Sequence, residues 1–465
     1  MNSRLSVVLN LAAISLASLL SAAVFAQDLD FEYFRDEVQP IFLAKRDGNL
    51  RCVQCHTTSS NFRLQALEEG ALFWTEEQSR MNYESTSTMV APGEHPLQSR
   101  FLTHPLPASA GGDPFHGGGK HFSDQDDPEW RIMADWVAGA DSRQPISTIA
   151  ARIIQTNAAG DGAAIIDPDT NQVIGTISDI EKPHGIASAP DGSQLYISNE
   201  VMHSLDIVDS RTLRVKRRIP VSGRPNNVSI TSDGSRVYVA IMQSPGALDV
   251  IDTATMTNIK TVPVDGAIHN VYVTPDDKYA IGGSIQTSTI NVVDTATNEL
   301  AWTVEMSAGI RPMIMDTNPD GSTKNIYVQL SGLHGFAVVD FNMREEVARI
   351  EHPPVPGQEA HYDGLQGAPA HGLGVSPDGT TLWSTSKVYG SAYVHSLPDL
   401  TEIAQIPVGQ HPEWVTFTPD GKTAYIGTAG DNATVAVDVA TMTVVSRIAV
   451  GQVPKRLGTA MMAVD

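Results

Sequence analysis

The feature that most constrains this chain is a phrase that returns at regular intervals through its last two thirds. A short apolar strand closes on aspartate as AAIID at Asp167, LDIVD at Asp209, LDVID at Asp252, INVVD at Asp294, FAVVD at Asp340 and VAVDV around Asp438, with a degenerate copy, AYVHSLPDL, near Leu397. Adjacent copies lie roughly 42–46 residues apart, the size of one four-stranded propeller blade. A second phrase falls out of phase with the first: PDGSQLYIS from Pro190, SDGSRVYVA from Ser232, PDDKYAIGG from Pro275, PDGSTKNIYVQ from Pro319, PDGTTLWST from Pro377 and PDGKTAYIG from Pro419. Pro-Asp-Gly is a tight turn between strands, because proline presets one φ and glycine accepts a positive one. Each period therefore holds about four short strands, and seven copies make a ring of seven blades. Residues 151–178 supply only three strands of the first blade. Residues 453–463 are then expected to return as its innermost strand and close the ring.

The other end of the chain reads differently. Residues 1–26 have the form of a secretory signal, with Arg4 at the start, a largely apolar stretch over 5–20 and the small-residue site Val24-Phe25-Ala26 before Gln27. Ser6, Asn10, Ser15 and Ser18 interrupt that stretch and argue against a spanning helix, and no later segment is long and apolar enough to cross a bilayer. The expectation is an exported, periplasmic chain cleaved near Ala26, without an integral membrane segment in the mature form. A helical domain over 27–145 would precede the propeller over 146–465. The formal charge of −22 disfavours nucleic acid and anionic membranes as partners. It suits a basic protein partner, and it equally serves solubility alone.

The chain has only two cysteines, and they stand in Cys52-Val53-Gln54-Cys55-His56. This is the C-x-x-C-H attachment motif of c-type haem. Two thiols add to the two vinyl groups of one porphyrin, and the following histidine takes the iron as proximal ligand. The export signal and the lack of a second cysteine pair favour haem over zinc, with a redox disulfide as the competing use. Phe31, Phe34, Val38, Ile41 and Phe42 recur at helical spacing before the motif, with Pro40 expected to kink the helix. Residues 126–140 read as a second helix, with Trp130, Met133, Trp136 and Val137 on one face. The sixth iron ligand stays open. His116 comes first, because the glycines after it let backbone approach a ring closely; His121 and then Met89 follow, with His95 and His104 behind. Each of these also reads as an ordinary loop residue. The choice matters because bis-histidine ligation gives a lower potential than His/Met.

The stretch HGGGKHF followed by DDPEWRIMADWV resembles the C-terminal half of cytochrome c domains in large exported bacterial proteins. The repeats resemble the YVTN family of β-propeller repeats. Together these resemblances imply a multidomain chain: a small all-α cytochrome c domain carrying one haem c, then an all-β seven-bladed β-propeller. In domain arrangement this is similar to cytochrome cd1-type proteins, whose propeller histidines ligate a second haem. Those propellers have eight blades, so neither a second haem nor nitrite reduction carries over to a seven-bladed chain.

A propeller fold does not assign a function, and any site must be read from its own residues. Counting seven residues back from each turn aspartate places His184, Asn226, His269, Met313, His371 and Glu413 at one mouth of the channel, with Lys455 added by analogy. Three imidazoles on alternate blades are donors for copper or zinc, and Met313 would suit copper(I). A wet, narrow mouth also collects polar residues without binding any metal. The long insertion before His371 carries His352, His361 and Tyr362 and is expected to fold over the same face. His203, His334 and His395 fall outside the ring and read as packing or surface residues. No nucleophile elbow, phosphate loop or dinucleotide fingerprint is present. The sequence therefore points to a haem c oxidoreductase with a small-molecule or metal site at the mouth, passing electrons to a protein partner. The alternative is a non-catalytic electron-transfer or docking protein.

Overall fold

A computed structural model describes residues 29–45, 51–58, 62–91, 95–140, 146, 148–160 and 162–464. The expected signal segment, the cleavage site expected near Ala26 and most of the junction between helical region and propeller lie outside the described residues.

Among the described residues, twenty-eight strands, numbered in chain order, form seven four-stranded antiparallel sheets. The first blade is built from both ends of the domain, in the order β28 (Pro454–Ala463), β1 (Ile149–Asn157), β2 (Ala163–Asp167), β3 (Gln172–Ile177). Ile149 pairs with Ala463, Ile153 with Thr459 and Asn157 with Pro454, so the returning C-terminus closes the ring as the repeat count requires. The other six blades run from the axis outward in chain order. Their innermost strands are β4 (Pro183–Ser188), β8 (Pro225–Ile230), β12 (Ile268–Val273), β16 (Ile310–Thr317), β20 (Ala370–Val375) and β24 (Pro412–Phe417).

The repeated aspartates are turn devices. Asp191 Oδ1 accepts from Ser193 N at 3.0 Å, Asp233 from Ser235 N at 2.9 Å and Asp378 from Thr380 N at 3.0 Å. In the outer hairpins Asp252 accepts from Thr255 N at 2.8 Å and Asp438 from Thr441 N at 2.7 Å. Such Asx turns satisfy backbone donors that the ladder cannot reach, which accounts structurally for much of the chain's acidity. Between blades, Tyr196, Tyr238, Tyr327, Trp383 and Tyr425 of the second phrase are fully buried. Each contributes roughly 2–3 kcal/mol of apolar burial to the inter-blade walls.

The helical region has its own core, in which Phe34, Phe42, Phe101, Trp130 and Trp136 pack together. Helix α1 (Phe31–Tyr33) runs on as a widened turn over Phe34–Val38 and a tight one over Gln39–Phe42. Pro40 has no N–H to give back to the ladder, and the helix changes pitch there. Three further helices follow: α2 (Cys52–His56), α3 (Glu76–Ser87) and α4 (Arg100–Thr103). In α5 (Pro128–Val137) the Asp127 carboxylate accepts from Glu129 N at 2.9 Å, proline takes the first turn, and Trp130, Met133, Trp136 and Val137 are buried together. No described helix is long and apolar enough to cross a membrane.

This region rests on the outermost strand of the second blade, β7 (Val215–Pro220). Lys216 Nζ lies 3.0 Å from Glu37 Oε1, Arg214 Nη2 lies 2.8 Å from Glu129 Oε1, and the Arg217 guanidinium sits 5.2 Å from the Phe73 ring centre. Lys45, three residues beyond Phe42, reaches Glu181 at 3.7 Å, beside the mouth of the channel.

Candidate functional site

Two sites stand apart, one in the helical region and one on the propeller axis. The first is a narrow cleft of about 70 Å³, partly open to solvent and walled by Ile41, Phe42, Phe62, Phe101, Phe122 and Met133. Helix α2 places Cys52, half-buried, and His56 on its wall, while Cys55 is exposed. The loop carrying His116 forms the facing wall. The His56 and His116 rings lie with centres 6.2 Å apart and planes within 18° of parallel. His56 Nδ1 donates to the Phe62 carbonyl at 3.0 Å, and His116 Nδ1 donates to the Gly119 carbonyl at 2.5 Å. A neutral imidazole that donates from Nδ1 keeps its lone pair on Nε2, the nitrogen that a metal takes. Burial pulls both rings below the usual imidazole pKa, which favours that neutral form. Gly119, at φ 84°, closes the turn that holds His116, a backbone conformation that only glycine adopts without strain. His121, Met89 and His104 also line the cleft. His121 stands edge-on to His116 at 5.2 Å, and His104 Nδ1 is held by the Asp113 carboxylate at 2.7 Å. His95 is exposed and outside the cleft lining.

The second site is the channel mouth. All seven innermost strands carry a register shift near their start, where an extra residue enters the ladder. Such a bulge re-aims the side chains it contains. It brings His184, Asn226, His269, His371 and Lys455 to a cavity of about 250 Å³, as the repeat alignment predicts. His269 and His371 have ring centres 6.3 Å apart.

Three expectations are corrected. Met313 is 1% exposed, packed in the blade core and absent from the mouth. The hairpin of β16 and β17 (Thr323–Leu330) has eight residues in each strand against six in most blades, so counting seven back from Asp320 stops two residues short. The residue at the ring position is Arg311, which does line the mouth. Glu413 turns aside and is buried behind the ring. Burial alone would raise its carboxyl, but His371, Lys387 and Lys455 hold it down to about 2. Its Oε1 receives Lys387 Nζ at 2.9 Å. In the insertion, His361 lines a separate cavity with Lys387 and His411, Tyr362 is exposed, and His352 is buried in the wall between blades, stacked 4.2 Å from Tyr393. The insertion reaches the mouth through Gln366, whose Oε1 accepts from Lys455 Nζ at 3.0 Å and whose carbonyl accepts from Arg311 Nη2 at 2.6 Å.

The expected triad of His184, His269 and His371 does not form a metal cage. Among the described residues no three His, Cys, Asp or Glu side chains stand close enough to hold a metal ion. The charges around them also oppose a cation. Lys182, Arg224, Arg311, Lys455 and Arg456 line the cavity against one carboxylate, Glu200. Sequence reading missed Arg224, Arg311 and Arg456. The signal for Arg456 was faint: it follows a ring position directly, where strand alternation would turn it away, and only the bulge opposite Thr156 lets it face the axis.

A family model described as a YNCE-like beta-propeller matches residues 145–311. No curated protein matches the chain significantly. Among solved structures, Kuenenia stuttgartiensis hydrazine synthase superposes with a TM-score of 0.52 at 21% identity, over 61% of this chain and 91% of that one. The periplasmic gluconolactonase PpgL of Pseudomonas aeruginosa gives 0.55 at 16% identity, over 67% and 99%. The dihydro-heme d1 dehydrogenase NirN gives 0.47 at 14% identity, over 75% and 89%, a likeness too loose to argue from. At these identities the likenesses establish the seven-bladed propeller and leave its chemistry to its own side chains.

Proposed function

We propose that this chain is an exported haem c redox protein, an oxidoreductase whose helical region carries one haem and whose propeller mouth takes a small-molecule substrate. The observation that carries the reading is the pairing of His56 and His116 across the cleft beside Cys52 and Cys55. The 6.2 Å between the two ring centres would leave room for one iron between the imidazoles. The donor set and the apolar walls therefore fit haem c. Cys52 and Cys55 would hold the porphyrin covalently, and His56 and His116 would bind its iron, with His121 or Met89 as substitutes within the same cleft.

When bound, haem supplies a one-electron couple, tuned low by two imidazoles. The protein's own part is to fix both rings through the Phe62 and Gly119 carbonyls and to wall the cleft with aromatic side chains that exclude water. Docking on β7 ties that cleft to the propeller, and the Lys45–Glu181 contact sets it beside the rim at Lys182. The acidic surface suits a basic electron-transfer partner in the periplasm.

The test is purification from a periplasm competent in haem attachment, with elemental analysis and a visible spectrum. One iron per chain, haem that survives denaturation, and a low-spin spectrum support the reading. A chain with no iron overturns it. Copper or zinc in stoichiometric amount would instead restore a metal site at the mouth.

A further inference from the structure

The channel mouth carries a surplus of positive charge in a chain whose formal net charge is −22. Lys182 is answered by Glu200 at 2.8 Å. Among the described residues, no carboxylate stands within ion-pair distance of Arg224, Arg311, Lys455 or Arg456; their partners are neutral. Arg224 Nη2 donates to the Met242 carbonyl at 3.0 Å, Arg311 Nε to Ser331 Oγ at 3.0 Å, and Lys455 Nζ to Gln366 Oε1 at 3.0 Å.

Arg456 is the most telling. It is 3% exposed, its guanidinium carbon lies 4.2 Å from the Trp414 ring centre, and Nη2 is fixed by Asn226 Oδ1 at 2.7 Å and by Asn270 Oδ1. Its Nε and Nη1 are buried with no hydrogen-bond partner, and so is Nδ1 of His184 on the same cavity. A buried guanidinium with two unpartnered nitrogens is costly to keep charged, and burial has pulled it down to about 10 against the opposing pull of Tyr272, Glu200 and Glu413. A fold that holds one at the focus of three other unpaired cations is arranged for a negative ligand. The arginine fork matches a carboxylate or oxyanion in two parallel bonds. Burial, then Arg456, Lys455 and Lys182, keep His184 neutral, so its ring adds hydrogen bonding without a competing charge. The cavity, about 250 Å³, falls below the ~300–1,000 Å³ of drug-sized pockets and suits a few heavy atoms.

We infer that the propeller mouth binds a small organic anion bearing one or two carboxylate groups, held by Arg311, Lys455 and Arg456 with His184 and Asn226 beside them. This deepens the reading of the mouth as the substrate site and rests on it for the word substrate; the binding itself does not depend on the haem.

The experiment is isothermal titration of the full-length holoprotein with malonate, and with 1,3-propanediol as the neutral analogue. The haem spectrum of the same sample is recorded, so that loss of haem is recognised separately from loss of binding. Malonate is expected to bind and 1,3-propanediol not. Lys455→Gln and Arg311→Gln should each weaken malonate by about tenfold, the loss of one charge-assisted contact. Lys278→Gln, on an exposed turn elsewhere, should leave it unchanged. The inference is overturned if malonate binds no better than 1,3-propanediol, or if its affinity is the same in both mouth variants as in the parent.

Discussion

Lys216 of the second blade's outer strand and Glu37 of the helical region stand 3.0 Å apart, each side chain less than a quarter exposed, and they bridge two parts of the chain that share no core. Asp209 lies on the other side of Lys216 at 3.6 Å. The two partners respond differently. Burial raises the Glu37 carboxyl against the pull of Lys216, whereas the surrounding carboxylates raise Lys216 in spite of burial. The desolvation of Glu37 is thus not fully repaid, and the pair fixes how the helical region docks more than it stabilises the whole. Lys216→Glu would set three carboxylates together and should loosen docking by on the order of 1–3 kcal/mol. Proteolysis between the helical region and the propeller is expected to quicken. Combining it with Glu37→Lys should recover part of the loss. A double-mutant cycle that shows no coupling would refute this.

The second prediction concerns His116. With haem held as proposed, replacing it with methionine would keep a ligand of similar reach but exchange an imidazole for a thioether. The midpoint potential should rise by on the order of 0.1 V, within the ~0.8 V that axial ligands span. His116→Ala should instead give a high-spin spectrum with the haem still covalently attached. An unchanged spectrum in His116→Ala would hand the sixth position to His121 or Met89.

The propeller was legible because each blade repeats the same local chemistry: an aspartate that ends one hairpin and a Pro-Asp-Gly that makes another. Even the closing strand could be read, since residues 151–178 lacked a fourth strand. Ring positions were legible wherever the hairpin had its standard length, as at His184, His269 and His371. Where β16 and β17 are longer, the count landed on Met313 instead of Arg311. Glu413 shows a different limit, because its direction depends on Lys387, a residue of the turn after Ser386 in the neighbouring blade. His352 and His395 lie outside the mouth, in a wall set by how two blades pack. Nothing local in the sequence reports that packing. In the helical region the pattern of Trp130, Met133 and Trp136 gave the buried face, and the glycines after His116 gave the loop.

The wall histidines lead to a prediction about acid. His352 stacks on Tyr393, and His395 lies 5.4 Å from it with Phe336 5.2 Å away. Both are nearly inaccessible to solvent, and burial lowers His395 to about 4 and His352 well below its usual value. In the unfolded chain each titrates near 6.5, so below that pH the unfolded state binds more protons. Their contribution to stability is therefore complete above about pH 6.5 and drains away as pH falls toward 4. Burial also lowers His184, His269 and His371, and they add to the same slope. His395→Leu removes one titrating ring and keeps an apolar filler. At pH 5 the variant should gain on the parent by on the order of 1 kcal/mol, with a flatter profile in urea unfolding across pH 4–8. An identical slope in parent and variant would exclude His395 as a contributor.

The last prediction tests the ring closure. Strand β28 supplies both the missing edge of the first blade and Arg456 at the channel floor. Met462 pairs with Ala150, is 2% exposed and packs with Ile154 and Ile165, whereas its neighbour Met461 is only partly buried. Met462→Asp drives an unpaired carboxylate into that core and should destabilise by more than about 4 kcal/mol. Met461→Asp, with its side chain on the other face, should lose roughly 1 kcal/mol or less. Without β28, the inner edge of β1 presents unpaired N–H and C=O groups, which invite pairing with another copy. Truncation before Pro454 should therefore yield aggregates or dimers by size-exclusion chromatography. A truncated chain that melts as a monomer at the parent's temperature would mean that the ring does not depend on its closing strand.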